Sequence, residues 1–512
     1  MVMNVALTHR LMALVATLLM GLLFFRAILT VDPYFDSFAY HLPFAARLAG
    51  LCPETCYRMG DYLEAAYDGF PKLFHIFQGL VWRLTGLPQA VDVLNVGALL
   101  LFCLFLRRWF RVPAAWTVCA LLAVPLIQIH ATSTYIDLPV NLAAAAAILA
   151  LTALARAPEA FGWPKLLVLV ACLAFAANSK PQMLGVAGPV ALLFVMIAVA
   201  SLASGHRLGP FVPGRGAGWL GLACFVLVFA AGVGATLAEN ALTHGNPLYP
   251  FRIALPGLAL DGPIDALSTP EDSLAETWRP FPSPLRWLIS VLEIGAYSYR
   301  EVPWTVDQGY CETALAWKDC WRQPDASFLM GGYFVPYVLG LGAFLGWRVR
   351  STPAPDRRIF LAPFIGTTLL AACLPRSHEL RYYLFWVIVL VALCLIAVFD
   401  GPDGEPRAGA KVSGLLATLV IIALTSVLLM TQARYVTPIG RDLDALITTF
   451  GVRERVAVIP DGALVCVDSG WQPFTFLFAP IFHPGRSYTV LDGYIGPCRA
   501  VVPPRTETRE SS

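Results

Sequence analysis

Two acids, a tyrosine and a histidine lie close together where the first long apolar run ends, in Asp32-Pro33-Tyr34-Phe35-Asp36-Ser37-Phe38-Ala39-Tyr40-His41-Leu42-Pro43. Ionisable groups at the edge of an apolar span are costly, so they point to function first. A carboxylate in such low-dielectric surroundings can act as a general base. Asp36 fits that role and equally fits a helix N-cap. Asp32 precedes Pro33 and suits the turn that closes the span.

Four further segments repeat the theme. Gly69-Phe70-Pro71-Lys72-Leu73-Phe74-His75 places Lys72 where it could neutralise a phosphate or snorkel from a helix start. Thr134-Tyr135-Ile136-Asp137-Leu138-Pro139-Val140-Asn141 puts Asp137 and Asn141 four apart, on one helical face. Asp137 is then either a second carboxylate facing a cavity or a capping acid. Asn178-Ser179-Lys180-Pro181 separates two apolar runs, so Lys180 is a topological stop or a lipid-phosphate ligand. Pro375-Arg376-Ser377-His378-Glu379-Leu380-Arg381-Tyr382-Tyr383 carries Arg376 and Arg381, a suitable pair for an anionic headgroup. Tyr40, His41, His75, Asn141, His378 and Tyr382 complete the set as substrate-binding candidates. Gly216-Ala217-Gly218-Trp219-Leu220-Gly221 matches a dinucleotide fingerprint by chance: no strand precedes it, and it opens an apolar span.

The elements that position these residues are membrane helices. The 512 residues are 57% hydrophobic and 14% charged, with mean hydropathy +0.66; soluble domains carry nearly twice that charge. A net charge of +2 offers no footprint for nucleic acid. Apolar spans are expected at 8–30, 89–109, 114–133, 135–156, 165–179, 182–203, 218–240, 327–347, 358–374, 381–399 and 412–431. The first, with its run Leu11 to Thr30, is too long for a signal-peptide core and has no small-x-small site before Asp32, so it is read as retained. Arg107, Arg108, Arg111, Arg156, Lys165, Arg207, Arg215, Arg348, Arg350, Arg357, Arg358, Arg407 and Lys411 all fall in loops on one side, the expected cytoplasmic side. The segments 31–88, 241–326 and 432–512 then lie outside, with the N-terminus inside.

Cysteine placement agrees. Cys103, Cys119, Cys172, Cys224, Cys373 and Cys394 fall in spans. Cys52 and Cys56, Cys311 and Cys320, and Cys466 and Cys498 fall pairwise in the three outside segments, predicting one disulfide in each. A metal site at Cys52-x-x-x-Cys56 is the alternative, but no His or third Cys is near. Ser37 to Leu51 reads as a short helix and Phe70 to Leu84 as an interfacial one, while Pro284 to Tyr299 suits a third. Trp278, Trp304, Trp317 and Trp321 suit a sugar or headgroup platform, or a plain interfacial belt. In the tail, Asp442 to Phe450 reads as helix, and Val456–Ile459, Ala463–Val467 and Tyr488–Leu491 as strands. The expected architecture is an all-α polytopic membrane domain over 1–431 with about eleven transmembrane helices, and a small α/β appendage over 432–512.

A first span followed by an outside acid and Tyr40-His41-Leu42-Pro43 resembles the polytopic GT-C glycosyltransferases, among them the protein O-mannosyltransferases, the lipid A aminoarabinose transferase and related bacterial enzymes. Asp36 matches the family's catalytic acid, Pro71-Lys72-Leu73 its lysine segment, and Asp137-Leu138-Pro139 the acid opening its fourth span. Gly245-Asn246-Pro247-Leu248-Tyr249-Pro250 and His378 to Tyr383 are similar to further family segments. Two departures stand out: Ser37 follows Asp36 where many members have a second acid, and Phe70-Pro71-Lys72-Leu73 replaces Lys-Pro-Pro-Leu. The resemblance implies a polyprenyl-phosphate sugar donor, a glycan, lipid or protein acceptor, and inversion at the anomeric carbon. It further implies chemistry on the periplasmic face of a bacterial inner membrane. Asp36 is then the base, with Lys72, Lys180, Arg376 and Arg381 on the donor phosphate and Asp137 as second acid. No cofactor is expected, and a divalent metal is left open. A transporter or flippase of a lipid-linked sugar and a non-catalytic envelope-assembly protein are the alternatives. Charges gathered at the outer edge, with no evident repeat between halves, favour the enzyme.

Overall fold

The computed structural model describes residues 5–32, 36–156, 162–203, 215–255, 257–265, 280–293, 332–399, 409–440, 442–467, 474–492 and 500–502. Helix α1 (Val5–Leu29) follows the first apolar run. A π-helical turn (Ser37–His41) leads into α2 (Leu42–Leu48), strand β1 (Tyr57–Arg58), α3 (Asp61–Gly69) and α4 (Leu73–Thr85). The bundle continues with α5 (Val93–Phe110), α6 (Ala114–Leu122), α7 (Pro125–Ala131), α8 (Asp137–Arg156), α9 (Trp163–Ser179), α10 (Leu184–Ala203) and α11 (Arg215–His244). Strands β2 (Phe251–Leu255), β3 (Leu258–Leu260) and β4 (Ile264–Asp265) come next, then α12 (Ser283–Val291), α13 (Val335–Arg350), α14 (Ala354–Cys373), α15 (Phe385–Phe399) and α16 (Gly409–Met430). The tail holds α17 (Leu443–Thr449), α18 (Val452–Ala457), β5 (Leu464–Val467), β6 (Thr489–Asp492) and β7 (Ala500–Val502).

Each expected span therefore contains a helix. Among the described residues, 6 helices are long and apolar enough to cross a membrane, or 7 if one bent pair is a single span. That pair corrects the reading of 114–133 as one rod: α6 and α7 meet at 105°. Pro125 disfavours helical geometry at the preceding residue, and Val124 is extended at φ −98, ψ 114. Helix α8 is the hub. Of its apolar window 83% is buried, against 6% for α11, which makes α11 a rim helix suited to face lipid. The run Ala143 to Ala147 keeps α8 slim enough for α5, α9 and α15 to pack around it.

The stretch Ser37 to Leu51 departs from the expected single helix. A π turn precedes α2, and Asp36 is itself helical (φ −63, ψ −25) with no side-chain cap bond. The capping role is thus excluded for Asp36. Helix α4 packs tightly on α2 at Gly79, where a Cβ would come within 2.5 Å of the Ala45 carbonyl.

In the tail, Asp442 caps α17 by accepting from Ala445 N at 2.7 Å, and β5 and β6 match two expected strands. Val456–Ile459 is not a strand. Val452 and Val456, four apart, bury one face of α18, and Pro460 follows the turn that closes it. The sheet is parallel with order β1-β6-β5-β7, so one edge strand comes from the segment between α2 and α3, Tyr57 opposite Val490 and Arg58 opposite Leu491. One core joins Phe38, Leu42 and Phe44 to Phe474 and Phe476. A second sheet, β3-β2-β4, has no clear signature in the sequence.

Cys52 and Cys56 form a disulfide, and Cys466 is disulfide-bonded. Cys311, Cys320 and Cys498 lie outside the described residues, as do Trp278, Trp304, Trp317 and Trp321 and the part of 284–299 beyond Glu293. The six span cysteines are free.

Candidate active site

Three of the four candidate cations stand beside a proline that breaks a helix. Pro71 follows Phe70, which is extended (φ −78, ψ 146) and ends α3. Lys180, extended at φ −149, ψ 129 before Pro181, leaves the line of α9. Arg376, after Pro375, takes the left-handed conformation at φ 55. The fourth, Arg381, lies on a 3-10 turn, Leu380–Tyr383, ahead of α15. That turn is held by side chains from α8 and from the stretch just before α13. Asn141 of α8 donates to the Arg381 carbonyl at 3.2 Å and accepts from Phe385 N at 2.9 Å. The Tyr333 hydroxyl donates to the Leu380 carbonyl at 2.8 Å and that of Tyr383 at 3.1 Å.

These elements bring Asp36 and Arg381 together. Arg381 Nη1 donates to Asp36 Oδ2 at 2.8 Å. The Tyr40 hydroxyl reaches the same oxygen at 3.3 Å, and Asp36 N donates to the Tyr135 hydroxyl at 3.2 Å. Glu379 accepts more distantly, at 3.5 Å from Arg381 and 3.6 Å from Arg376. The guanidinium lies 5.4 Å from the Tyr135 ring centre and 5.0 Å from that of Tyr382. Burial opposes the charge on Arg381, but Tyr382, Asp36 and Glu379 outweigh it and hold the guanidinium more firmly protonated than usual.

A second pair flanks the same ring. Lys180 Nζ donates to Asp137 Oδ1, and the ammonium lies 4.2 Å from the Tyr382 ring centre. The two pairs differ in access. Asp36 and Arg381 side chains are 14% and 12% exposed, those of Asp137 and Lys180 2% and 7%.

Lys72 is placed differently. Its ammonium meets the carbonyls of Tyr67 and Asp68 at the end of α3, where a cation complements the helix dipole. No carboxylate lies within ion-pair distance of it among the described residues. Burial lowers its pKa, with Glu239 and Asp68 acting in the opposite direction. Beside it opens a narrow apolar cleft whose walls include Pro71, Pro181, Leu184, Val233, Leu237 and Asn240. The prolines next to Lys72 and Lys180 thus stand in one groove, bounded by the rim helix α11. Asn240 fixes its upper edge by donating to the Gly69 and Tyr249 carbonyls at 3.0 and 2.9 Å. A Cβ at Gly69 would come within 2.5 Å of the Tyr249 carbonyl.

His41 and His75 pair at 2.9 Å between Nδ1 and Nε2, fully inside the protein. Burial lowers both pKa values, helped by Lys180 in each case; His75 falls to about 3. The dyad is therefore neutral. His378 is not gathered in. Its carbonyl accepts from Ser290 of α12 at 2.5 Å, and the charges acting on its ring are Glu379, Arg286 and Arg376, not Asp36.

Sequence reasoning passed over Tyr135 and Glu379, although both lie inside segments it singled out. It also missed what positions Tyr135. Asn95 Nδ2 donates to the His130, Ser133 and Tyr135 carbonyls at 2.9, 2.7 and 2.8 Å. Gln78 bonds the Thr134 carbonyl, and Asp32 accepts from Thr134 N, each at 2.6 Å. Asp32 is a buried clamp on this turn. Among the described residues, no three His, Cys, Asp or Glu converge so as to hold a metal ion.

No family model and no curated protein sequence matches the chain. Solved structures do. ArnT from Cupriavidus metallidurans bound to undecaprenyl phosphate superposes with TM-score 0.52 and 14% identity, covering 95% of this chain and 90% of that one. The same protein in the apo state gives TM-score 0.51 and 14% identity over 94% and 86%. With these spans and this superposition, the chain is a multi-pass membrane protein that shares its fold with ArnT.

Proposed function

We propose that this protein is a membrane glycosyltransferase that moves a sugar from a polyprenyl-phosphate donor to a glycan, lipid or protein acceptor at the periplasmic face. The observation that carries this reading is the convergence of a solvent-reachable carboxylate, Asp36, with cations beside an apolar groove that opens past a lipid-facing helix. A structure of similar fold holds undecaprenyl phosphate, which is the ligand chemistry such a groove suits.

In this reading the prenyl chain lies along the groove between α9, α10 and α11. Lys72, which has no carboxylate partner among the described residues, meets the phosphate at the groove mouth, and Lys180, Arg376 and Arg381 line the way inward. The acceptor hydroxyl or amine attacks the anomeric carbon on the face opposite the phosphate, so configuration inverts. Asp36 takes the proton, and the lipid phosphate departs with the bonding electrons, compensated by the cations. Tyr40 holds Asp36 Oδ2, Asp137 holds Lys180, and Asn141 holds the turn that carries Arg381. Tyr382, His41 and His75 give the sugar an aromatic and neutral polar wall.

Comparison of lipid-linked glycans and envelope components between a strain lacking the gene and one carrying it tests this. Accumulation of one lipid-linked sugar, with loss of one envelope modification, is expected. Unchanged profiles in both pools would reject it.

A further inference from the structure

The carboxylates and cations around Tyr382 are matched. Asp36 holds Arg381, Asp137 holds Lys180, and Glu379 is shared by Arg381 and Arg376. An anionic phosphate entering this cluster finds every cation engaged, so it must draw one away from a carboxylate. The geometry distinguishes the candidates. Lys180 has Asp137 as its carboxylate partner, both nearly sealed from solvent, and breaking that pair would strand a buried charge. Arg376 is the rim cation, 33% exposed and 3.6 Å from Glu379. Arg381 is both reachable and versatile. If it turns from Asp36 it keeps Glu379, the Tyr382 hydroxyl at 3.3 Å and two aromatic faces. Its Nε is buried without a hydrogen-bond partner, so the fork has a donor to spare.

Asp36 has the complementary problem. Its Oδ2 accepts from both Arg381 and Tyr40. While those two donors occupy it, that oxygen is not open to an acceptor's hydroxyl or amine.

We propose that the Asp36–Arg381 pair is the resting lock of the site, which the phosphate of the incoming lipid opens by taking the Arg381 guanidinium. This rests on the donor reading above. It makes Arg381 a residue shared in turn by base and phosphate, and it fixes the order of events. Donor binds first and frees Asp36; the acceptor then binds and gives up its proton. The new bond to the anomeric carbon forms as the carbon–oxygen bond to phosphate breaks. Arg381 stays with the leaving phosphate until the lipid departs and the lock re-forms.

The test is binding of a polyprenyl phosphate to the full chain in nanodiscs, with the uncharged polyprenol as control. Asp36→Asn, and Asp36→Ser in case the amide perturbs folding, remove the competitor for Arg381. Both should bind the phosphate about tenfold tighter than wild type, since no ion pair has to be broken. Arg381→Gln should bind more weakly, and the Asp36→Asn/Arg381→Gln double variant should show none of the gain. Equal or weaker phosphate binding by both Asp36 variants, with wild type still preferring phosphate to polyprenol, overturns the lock and leaves the donor reading standing. Wild type that does not distinguish phosphate from polyprenol overturns both.

Discussion

The Asp36–Arg381 and Asp137–Lys180 pairs use the same chemistry and flank the same tyrosine ring, yet they are set at different depths. The first joins a turn at the end of the first span to a turn before α15, with water in reach and two tyrosine hydroxyls in attendance. The second lies at the head of the hub helix α8, nearly sealed. A buried pair holds geometry but is badly placed to exchange protons with an incoming substrate, whereas a partly exposed one can. Under the proposed function, the contrast gives Asp36 the chemistry and Asp137 the positioning, although both open or precede helices and look alike in sequence.

The largest effect should separate them. Asp36→Asn should lower sugar transfer about a thousandfold, within the usual range for loss of a general base, while thermal unfolding in detergent stays near wild type. Asp137→Asn should do the reverse in kind. Stranding Lys180 should destabilise the fold by roughly 3–5 kcal/mol, read as a lowered unfolding temperature. The pair replacement Asp137→Leu/Lys180→Met should recover much of that stability. If Asp137→Asn instead unfolds normally but cannot transfer, the two carboxylates are catalytic partners and the contrast fails.

A smaller effect concerns Lys72. Lys72→Gln removes the cation at the groove mouth and should raise the donor KM about tenfold, the scale of one lost charged contact, with kcat nearly unchanged. A fall in kcat alone would move Lys72 from binding to chemistry.

A further effect is in pH. His75 stays neutral in the fold down to about pH 3 because burial, then Lys72 and Lys180, depress its pKa from 6.5. The unfolded chain binds that proton first, so stability is lost as pH falls from about 6.5 towards 3, by up to roughly 1.4 kcal/mol per pH unit. His75→Gln should flatten the acid side of the stability curve in that window. An unchanged curve would mean that His75 charges freely in the native state.

Much of the frame is legible in the sequence because apolar length and helix-breaking prolines are local signals. They place a helix in every expected span and set Lys72, Lys180 and Arg376 at breaks between elements. What is not legible is long-range partnership. Arg381 meets Asp36 from 345 positions away, and Tyr57 hydrogen-bonds Asp492 from 435 away; no periodicity encodes either. Asp36 as cap or base is undecidable from its neighbours; its helical backbone removes the cap, and its bond to Arg381 comes from a distant segment. Tyr135 looks like one more aromatic until Asn95, Gln78 and Asp32 clamp its turn against the site. Val456–Ile459 misleads because β-branched residues favour strands, while the spacing of Val452 and Val456 favours the short helix that forms.

The most direct test uses purified protein in nanodiscs and a set of radiolabelled polyprenyl-phosphate sugars with membrane extract as acceptor. Label leaving the lipid, with polyprenyl phosphate appearing in equal amount, is expected from wild type for one donor and not from Asp36→Asn. A donor that stays chemically intact with every sugar, or full release by Asp36→Asn, would contradict the account.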